Sequence, residues 1–300
     1  MVEEKFWHKH CCEIFCKRKF AGFARISTLG FEKLKKVFSE LILMLGLEQV
    51  HCILSGFGKT KFPLSSPQKS NFRAFAKFEN TTPIQIFLHS LIAINLKNVY
   101  LSIPPACFEK DFPLPYIEPS RVSIFSESSD QLENTFLLLK KLPGNDFFFF
   151  SAADLPFIDK DEILEMITFA KKLNSFSIPL VPVPLIPEKS RKNSIRFKEG
   201  EFTAGQAFSG PIGKAIDSDF LNKIERVITS PWDFLKKQSP GFLFRATLGK
   251  ISLKEVEKMI SKYLEYPMSF YLCKNSGFAR NLSTFENHIE AKPIFTLEGR

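Results

Sequence analysis

The stretch from Asp146 to Pro156, Asp-Phe-Phe-Phe-Phe-Ser-Ala-Ala-Asp-Leu-Pro, constrains the fold more than any other part of the chain. Four consecutive phenylalanines predict a short strand that is buried on both faces. The strand ends in small residues, one carboxylate and a proline that cannot continue a hydrogen-bonded ladder. Asp154 is therefore expected where a buried strand surfaces at its carboxyl end, the edge at which open α/β sheets bind ligands.

A carboxylate at that edge, preceded by alanines that leave room, suits a divalent cation held against phosphate oxygens. The alternative interpretation is structural, because Asp154 or Asp159 could be the N-cap of the helix predicted over Lys160–Lys172. Spacing alone leaves both interpretations open.

Predicted strands and helices alternate around this stretch, and their periodicities place the strands at Gln49–Leu54, Val99–Ile103, Arg121–Phe125 and Ser177–Val183 and the helices at Ile84–Leu96, Gln131–Lys141 and Ile158–Leu173. This alternation predicts an α/β fold with a mostly parallel central sheet and helices on both faces. A small hairpin insertion is expected over residues 193–203, with Gly200 in its turn. The remaining predicted elements are helices at Gly213–Val227, Pro231–Lys237, Leu253–Tyr263 and Thr284–Ile289 and a strand at Met268–Cys273.

Two regions are predicted along the chain: an amino-terminal extension over residues 1–48 and a main domain over residues 49–290. Apolar residues at helical spacing predict an amphipathic helix, Phe31–Leu47, within the extension. The 300 residues are 44% hydrophobic and 24% charged, a composition typical of a globular protein. The 34 phenylalanines stand at core positions where Leu and Val are more usual.

Charge, cysteines and hydropathy limit the partners and the compartment. The net charge of +9 suits an anionic substrate and is equally compatible with plain solubility. No apolar run reaches the length of a membrane-spanning helix, and the amino terminus does not resemble a signal peptide. The six scattered cysteines indicate a reducing compartment, so we expect a cytoplasmic protein without a membrane partner.

Five segments carry a resemblance to a known family: Leu54-Ser-Gly-Phe-Gly58, Arg73-Ala-Phe75 with Pro83-Ile84, Ser151-Ala-Ala-Asp-Leu-Pro156, Ile195–Gln206 and Asn281–Asn287. They resemble the motifs of the nucleotidyltransferase family with a molybdenum-cofactor guanylyltransferase-like domain, whose fold is the Rossmann-like GT-A sheet. The third segment is similar to the family's Ser-Ala-Asp-Leu-Pro, and the fourth to its Val-Arg-Leu-Lys-Asp-Gly-Glu-Phe-Thr-Gly-Gly-Asn. The resemblance covers about residues 51–289.

The resemblance implies a Mg²⁺-dependent nucleotidyltransferase, which moves an NMP group from a nucleoside triphosphate to a phosphorylated or alcohol acceptor and releases pyrophosphate. Asp154 is the implied metal ligand, while Lys61 and Arg73 would neutralise the triphosphate and the leaving pyrophosphate. The implied nucleotide- and acceptor-binding residues are Leu54, Ser55, Gly56, Gly58, Thr203, Gly205 and Gln206.

Asn281 and Ser283 stand where the family has aspartates, and neutral oxygens attract a hard dication less than carboxylates do. A second interpretation is therefore a catalytically impaired relative that binds a nucleotide or a protein partner in the same cleft. A third, a nucleic-acid-binding protein, rests on the net charge and on Lys17-Arg18-Lys19. The phenylalanines follow strand and helix periods, as core residues do, which disfavours a nucleic-acid partner.

Overall fold

The computed structural model describes residues 47–57, 74, 82–92, 94, 96, 98–105, 122–188, 191, 194–229, 234 and 240–281. The chain divides into two compact units, Met1–Leu45 and Gly46–Arg300, and every described residue belongs to the second. The predicted extension over residues 1–48 lies outside the described residues except for Leu47 and Glu48, and it stays a prediction.

The described residues form a nine-stranded sheet. Its strands are β1 (Val50–Ser55), β2 (Asn98–Ser102), β3 (Val122–Phe125), β4 (Phe147–Ala152), β5 (Phe176–Pro182), β6 (Ile195–Phe197), β7 (Gly200–Ala204), β8 (Ala207–Pro211) and β9 (Met268–Leu272). The strand order is β3-β2-β1-β4-β8-β5-β7-β6, and β9 pairs with β5 beside this path.

The two halves of the sheet differ in strand direction. The half made of β3, β2, β1 and β4 is parallel, as the sequence predicts, and Ser55 at the end of β1 lies opposite Ala152 at the end of β4. In the other half β8 runs antiparallel to both β4 and β5, so that β4 and β5 point the same way. The predicted hairpin is present as β6 and β7.

The helices are α1 (Pro83–Ile92), α2 (Gln131–Lys140), α3 (Lys160–Leu173), α4 (Ile212–Ala215), α5 (Ser218–Thr229), α6 (Pro240–Thr247) and α7 (Leu253–Leu264), and single 3₁₀ turns lie at Val183–Leu185 and Gly277–Ala279. In the part of the chain that the structure describes, no helix has the length and apolar character that crossing a membrane requires.

The four phenylalanines of β4 divide between two cores because successive side chains of a strand point to opposite faces. Phe147 and Phe149 belong to the core that α1 and α3 cover, and Phe148 and Phe150 belong to the core under α2, α4, α5 and α7. Phe148 and Phe149 are fully buried. Burying each such ring contributes about 1.5–3 kcal/mol, so β4 holds both layers of helices on the sheet.

The sequence prediction was wrong about the share of parallel pairing because it did not assign β8 as a strand. Ala207-Phe-Ser-Gly-Pro211 has little of the β-branched and aromatic content that marks strands. Tertiary contacts form the strand instead. The hydroxyl of Ser209 donates to the carbonyl of Phe148, and Gly210 leaves room for the Phe176 ring, which would lie 2.3 Å from an added Cβ.

Most predicted helices and strands are present with ends shifted by a few residues. The predicted helix Gly213–Val227 is wrong in one respect, since the chain forms two helices, α4 and α5, on either side of Ile216–Asp217. Asp217 accepts the backbone N–H of Asp219 at 2.9 Å, a contact that starts a new helix. The predicted helix Thr284–Ile289 lies outside the described residues, as do Phe31–Leu47 except Leu47 and Pro231–Lys237 except Phe234.

Candidate functional site

β1 delivers the first part of the candidate site at the carboxyl edge of the parallel strands. Leu54 is fully buried in the core, so only its backbone could face a ligand, and Ser55 is buried beside it. The N–H of Gly56 donates to the carbonyl of Ser102 at the end of β2, at 2.8 Å. β1 ends at Ser55, one residue later than the sequence predicts, and the loop begins at Gly56. Gly58 lies outside the described residues.

Asp154 lies two residues beyond the end of the neighbouring strand β4. The N–H of Ala153 donates to the carbonyl of Ser55 at 2.9 Å, which fixes the turn that carries Asp154 beside the end of β1. Asp154 is only 2% exposed. The helix cap is Asp159, whose carboxylate accepts the N–H of Asp161 at 2.8 Å at the start of α3. Capping therefore does not account for Asp154.

The junction between β7 and β8 forms the next part of this edge. The N–H of Gly205 donates to the carbonyl of Pro179 at 2.8 Å, and the carbonyl of Gln206 accepts the N–H of Ala152 at 3.1 Å. Thr203 is half-buried opposite Val181 near the end of β5. A Cβ at residue 205 would lie 2.8 Å from Pro179 Cγ, so this close approach needs a glycine.

The segment after β9, Lys274–Asn281, is the last part of the candidate site, and we call it the carboxyl loop. The carbonyl of Phe278 accepts the N–H of Gln206 at 2.8 Å. The guanidinium carbon of Arg280 lies 3.7 Å from the centroid of the Phe157 ring, within the range of a cation–π contact. Asn281 is buried, with 7% of its surface exposed. Ser283 lies outside the described residues.

Backbone hydrogen bonds thus join four segments that are far apart in sequence: Ser55 bonds to Ala153, Ala152 to Gln206, and Gln206 to Phe278. Because Asp154 directly follows Ala153, the buried carboxylate belongs to this group. The structure brings Ser55, Gly56, Asp154, Gly205 and Gln206 to one edge of the sheet. Lys61 and Arg73 lie outside the described residues, so their proposed roles stay predictions.

Two carboxylates of α3, Glu162 and Glu165, contact the strand and loop that lead to Asn281, and both have shifted pKa values. Burial raises the pKa of Glu162 above its ordinary value, although the N–H groups of Lys274 and Asn275 oppose the shift by donating to it. The ammonium of Lys274, 2.6 Å away, lowers the pKa of Glu165, and the hydroxyl of Tyr271 adds to this effect. The sequence does not predict these contacts; the acidic first turn of α3, which contains Glu162 but not Glu165, is the visible signal.

The metal chemistry open to this edge is limited by the ligands present. Among the described residues no three or more His, Cys, Asp or Glu side chains are grouped so that they could hold a metal ion. Mg²⁺, however, is commonly bound by one or two carboxylates together with substrate phosphates, rather than by a cage of protein ligands. The single carboxylate of Asp154 would therefore suit only a cation that enters with a phosphate ligand, and the described residues do not form a closed structural site.

No protein-family model matches the chain, and no curated protein matches it in sequence. Solved structures do match. A hypothetical transferase from Thermus thermophilus aligns with a TM-score of 0.62 at 15% identity, over 80% of this chain and 99% of its own. The 4-diphosphocytidyl-2C-methyl-D-erythritol synthase of Anaerococcus prevotii aligns with a TM-score of 0.50 at 12% identity, over 85% of this chain and 99% of its own. The chain has the same α/β fold as these two proteins, and at such low identity the likeness concerns the fold alone.

Proposed function

We propose that the protein is a nucleotidyltransferase that moves an NMP group from a nucleoside triphosphate to a phosphorylated or alcohol acceptor, with release of pyrophosphate. The observation that carries the proposal is the buried carboxylate of Asp154, held beside Ser55, Gly56 and Gln206 by the backbone hydrogen bonds at one sheet edge. Ligands of open α/β sheets bind at this edge. The transferase fold and the motifs that resemble the molybdenum-cofactor guanylyltransferase-like family support the same proposal.

In the proposed reaction an oxygen of the acceptor attacks the α-phosphate of the nucleotide, and the bond from that phosphate to the departing pyrophosphate breaks. Such a transfer depends on positioning and on neutralisation of charge more than on covalent chemistry of the protein. The backbone around Ser55 and Gly56 would face the nucleotide, and Thr203, Gly205 and Gln206 would line the acceptor side. Lys61 and Arg73 would neutralise the triphosphate and the leaving pyrophosphate.

Asp154 would hold a Mg²⁺ ion that enters with the triphosphate, and Asn281 would add at most a neutral oxygen. When bound, this ion supplies positive charge that offsets the negative charge of the phosphate oxygens. One carboxylate leaves most of the coordination to the nucleotide and to water, so binding of metal and binding of nucleotide should depend on each other.

Pyrophosphate release tests the proposal. Each of the four nucleoside triphosphates is incubated with Mg²⁺, the protein and a panel of sugar phosphates, polyol phosphates and free alcohols. We expect one combination to release pyrophosphate stoichiometrically with a nucleotidylated product, and Asp154→Ala to abolish the release. Turnover that survives in Asp154→Ala would show that the proposed site is wrong.

A second candidate function follows from Asn281 and from the absence of a larger carboxylate group among the described residues. A catalytically impaired relative would bind a nucleotide, or a protein partner, in the same cleft without using the metal. Nucleotide binding that is equally tight with and without Mg²⁺, and that is never followed by pyrophosphate release, would favour this candidate over the enzyme.

A further inference from the structure

Glu162 makes a contact that its place in the sequence does not predict. It lies in the first turn of α3, where an acidic side chain normally serves the start of its own helix. Asp159 already caps that helix, and Glu162, only 4% exposed, accepts two backbone N–H groups from elsewhere. Its Oε1 atom lies 2.6 Å from the N–H nitrogen of Lys274 and 3.2 Å from that of Asn275. The carboxylate thereby holds the start of the carboxyl loop.

The rest of the carboxyl loop is fitted closely to the segment that follows Asp154. A Cβ added to Gly277 would lie 2.5 Å from the carbonyl oxygen of Phe157 and 2.7 Å from Cα of Ile158. The side chain of Asn275 turns the loop by accepting the N–H of Gly277 at 2.8 Å. The carboxyl loop thus depends on Glu162 at its start and on a close backbone fit in its middle.

We propose that Glu162 is a positioning residue of the nucleotide site, acting through the carboxyl loop on Gln206 and Asn281. Two contacts connect the loop to these residues. The carbonyl of Phe278 accepts the N–H of Gln206. Asn281 ends the loop directly after Arg280, whose guanidinium lies on the ring of Phe157. This inference rests on the proposed function, because it names what sets the geometry of the same site. Both N–H groups bond to the same buried side-chain oxygen, and this fixes where the carboxyl loop begins.

Hydrogen exchange of the amides in the carboxyl loop measures directly whether Glu162 holds the loop, and it needs no ligand. Hydrogen exchange followed by mass spectrometry should show faster exchange over residues 274–281 in Glu162→Ala than in the wild type. Glu162→Gln keeps a carbonyl oxygen that can accept both N–H groups, so it should restore slow exchange. If Glu162→Ala does not fold, Glu162→Asp takes its place, because its shorter side chain withdraws the carboxylate from the loop.

Glu257, which is half-buried, provides a control for the general loss of a carboxylate that accepts a backbone N–H. Its Oε1 atom accepts the backbone N–H of Phe270 in β9 at 2.7 Å, and burial raises its pKa as it does for Glu162. Glu257→Ala removes the same kind of contact from a site outside the carboxyl loop. Glu165→Gln is a second control, since it weakens the exposed ion pair to the ammonium of Lys274 and keeps a side-chain oxygen for the hydroxyl of Tyr271.

The deciding measurement is the affinity for ATP, CTP, GTP and UTP with Mg²⁺, determined by calorimetry for the wild type and each variant. We expect Glu162→Ala to lower the affinity for the preferred nucleotide by on the order of tenfold. Glu162→Gln, Glu165→Gln and Glu257→Ala should each stay within about twofold of the wild type.

The inference is overturned if Glu162→Ala loosens the loop but leaves the affinity unchanged, or if Glu257→Ala weakens binding equally. A wild type that binds none of the four nucleotides would overturn the proposed function and this inference with it. That outcome differs from failure of the inference alone, in which the wild type binds a nucleotide and Glu162→Ala binds it equally well.

Discussion

Replacing Gly205 by Ala tests whether the junction of β7 and β8 needs its close contacts. The added Cβ would lie 2.7 Å from Cβ of Phe278 and 2.8 Å from Cγ of Pro179. It would also lie 3.2 Å from the carbonyl oxygen of Phe278, the atom that accepts the N–H of Gln206. Carbon atoms in contact are normally about 3.5–4.0 Å apart, so a segment must move by on the order of 1 Å. The segments that can move are parts of the proposed site.

The expected loss in the free energy of unfolding follows from this overlap. Forcing an extra carbon into a close-packed position costs about 1–3 kcal/mol. In a domain of this size each kcal/mol lowers the melting temperature by roughly 2–4 °C, so Gly205→Ala should melt roughly 2–12 °C below the wild type. Because the displaced carbonyl holds Gln206, nucleotide affinity should fall as well. Differential scanning calorimetry and nucleotide titration measure the two effects.

Gly241→Ala is the matched control for this experiment. It adds the same methyl group in α6, where no atom of the described residues beyond the chain neighbours and the helix's own backbone lies within 4 Å of the new Cβ. Alanine is the better helix former, so the melting temperature should be unchanged or slightly higher. A Gly205→Ala variant that melts with the wild type and binds nucleotide equally well would refute the reasoning about the junction.

Three further predictions concern the core, the pH dependence of stability and the thiols. Phe149→Ala, which empties a fully buried position in β4, should cost about 3–5 kcal/mol in urea unfolding. The pKa of Glu255 is lowered from 4.5 to about 2, first by the N–H of Ser252 and then by Arg245; its ionised form therefore stabilises the native state above pH 4.5. The stability deficit of Glu255→Gln at pH 7 should shrink as the pH falls below 4.5 and vanish near pH 2. Burial raises the pKa of Cys52 and Cys273, so peptide mapping should find both unmodified by iodoacetamide until the protein unfolds.

The sequence predicted the parallel half of the sheet because its signals there are local and strong. Four phenylalanines between a turn and a proline leave few alternatives to a buried strand. The sequence alone does not decide the role of Asp154, since Asp154 and Asp159 are both acceptable N-caps. Only the hydrogen bond from Asp161 to Asp159 assigns the cap.

The remaining features depend on contacts that no local pattern encodes. β8 is a strand because it lies between β4 and β5, and its own sequence of small and turn-forming residues predicts otherwise. The link between Glu162 and Lys274 joins residues 112 positions apart through a backbone N–H, which every residue except proline possesses. Such a contact depends on the path of the backbone and leaves no trace in the identity of its donor residue.

Titration of a nucleoside triphosphate with and without Mg²⁺, for the wild type and Asp154→Asn, tests the central claim most directly. Asp159→Asn is the control on the same segment, since asparagine caps helices as well as aspartate does. If Asp154 couples metal and nucleotide at the carboxyl edge of the sheet, Mg²⁺ strengthens binding in the wild type and in Asp159→Asn but not in Asp154→Asn. An Asp154→Asn variant that keeps the full Mg²⁺ dependence would contradict the account.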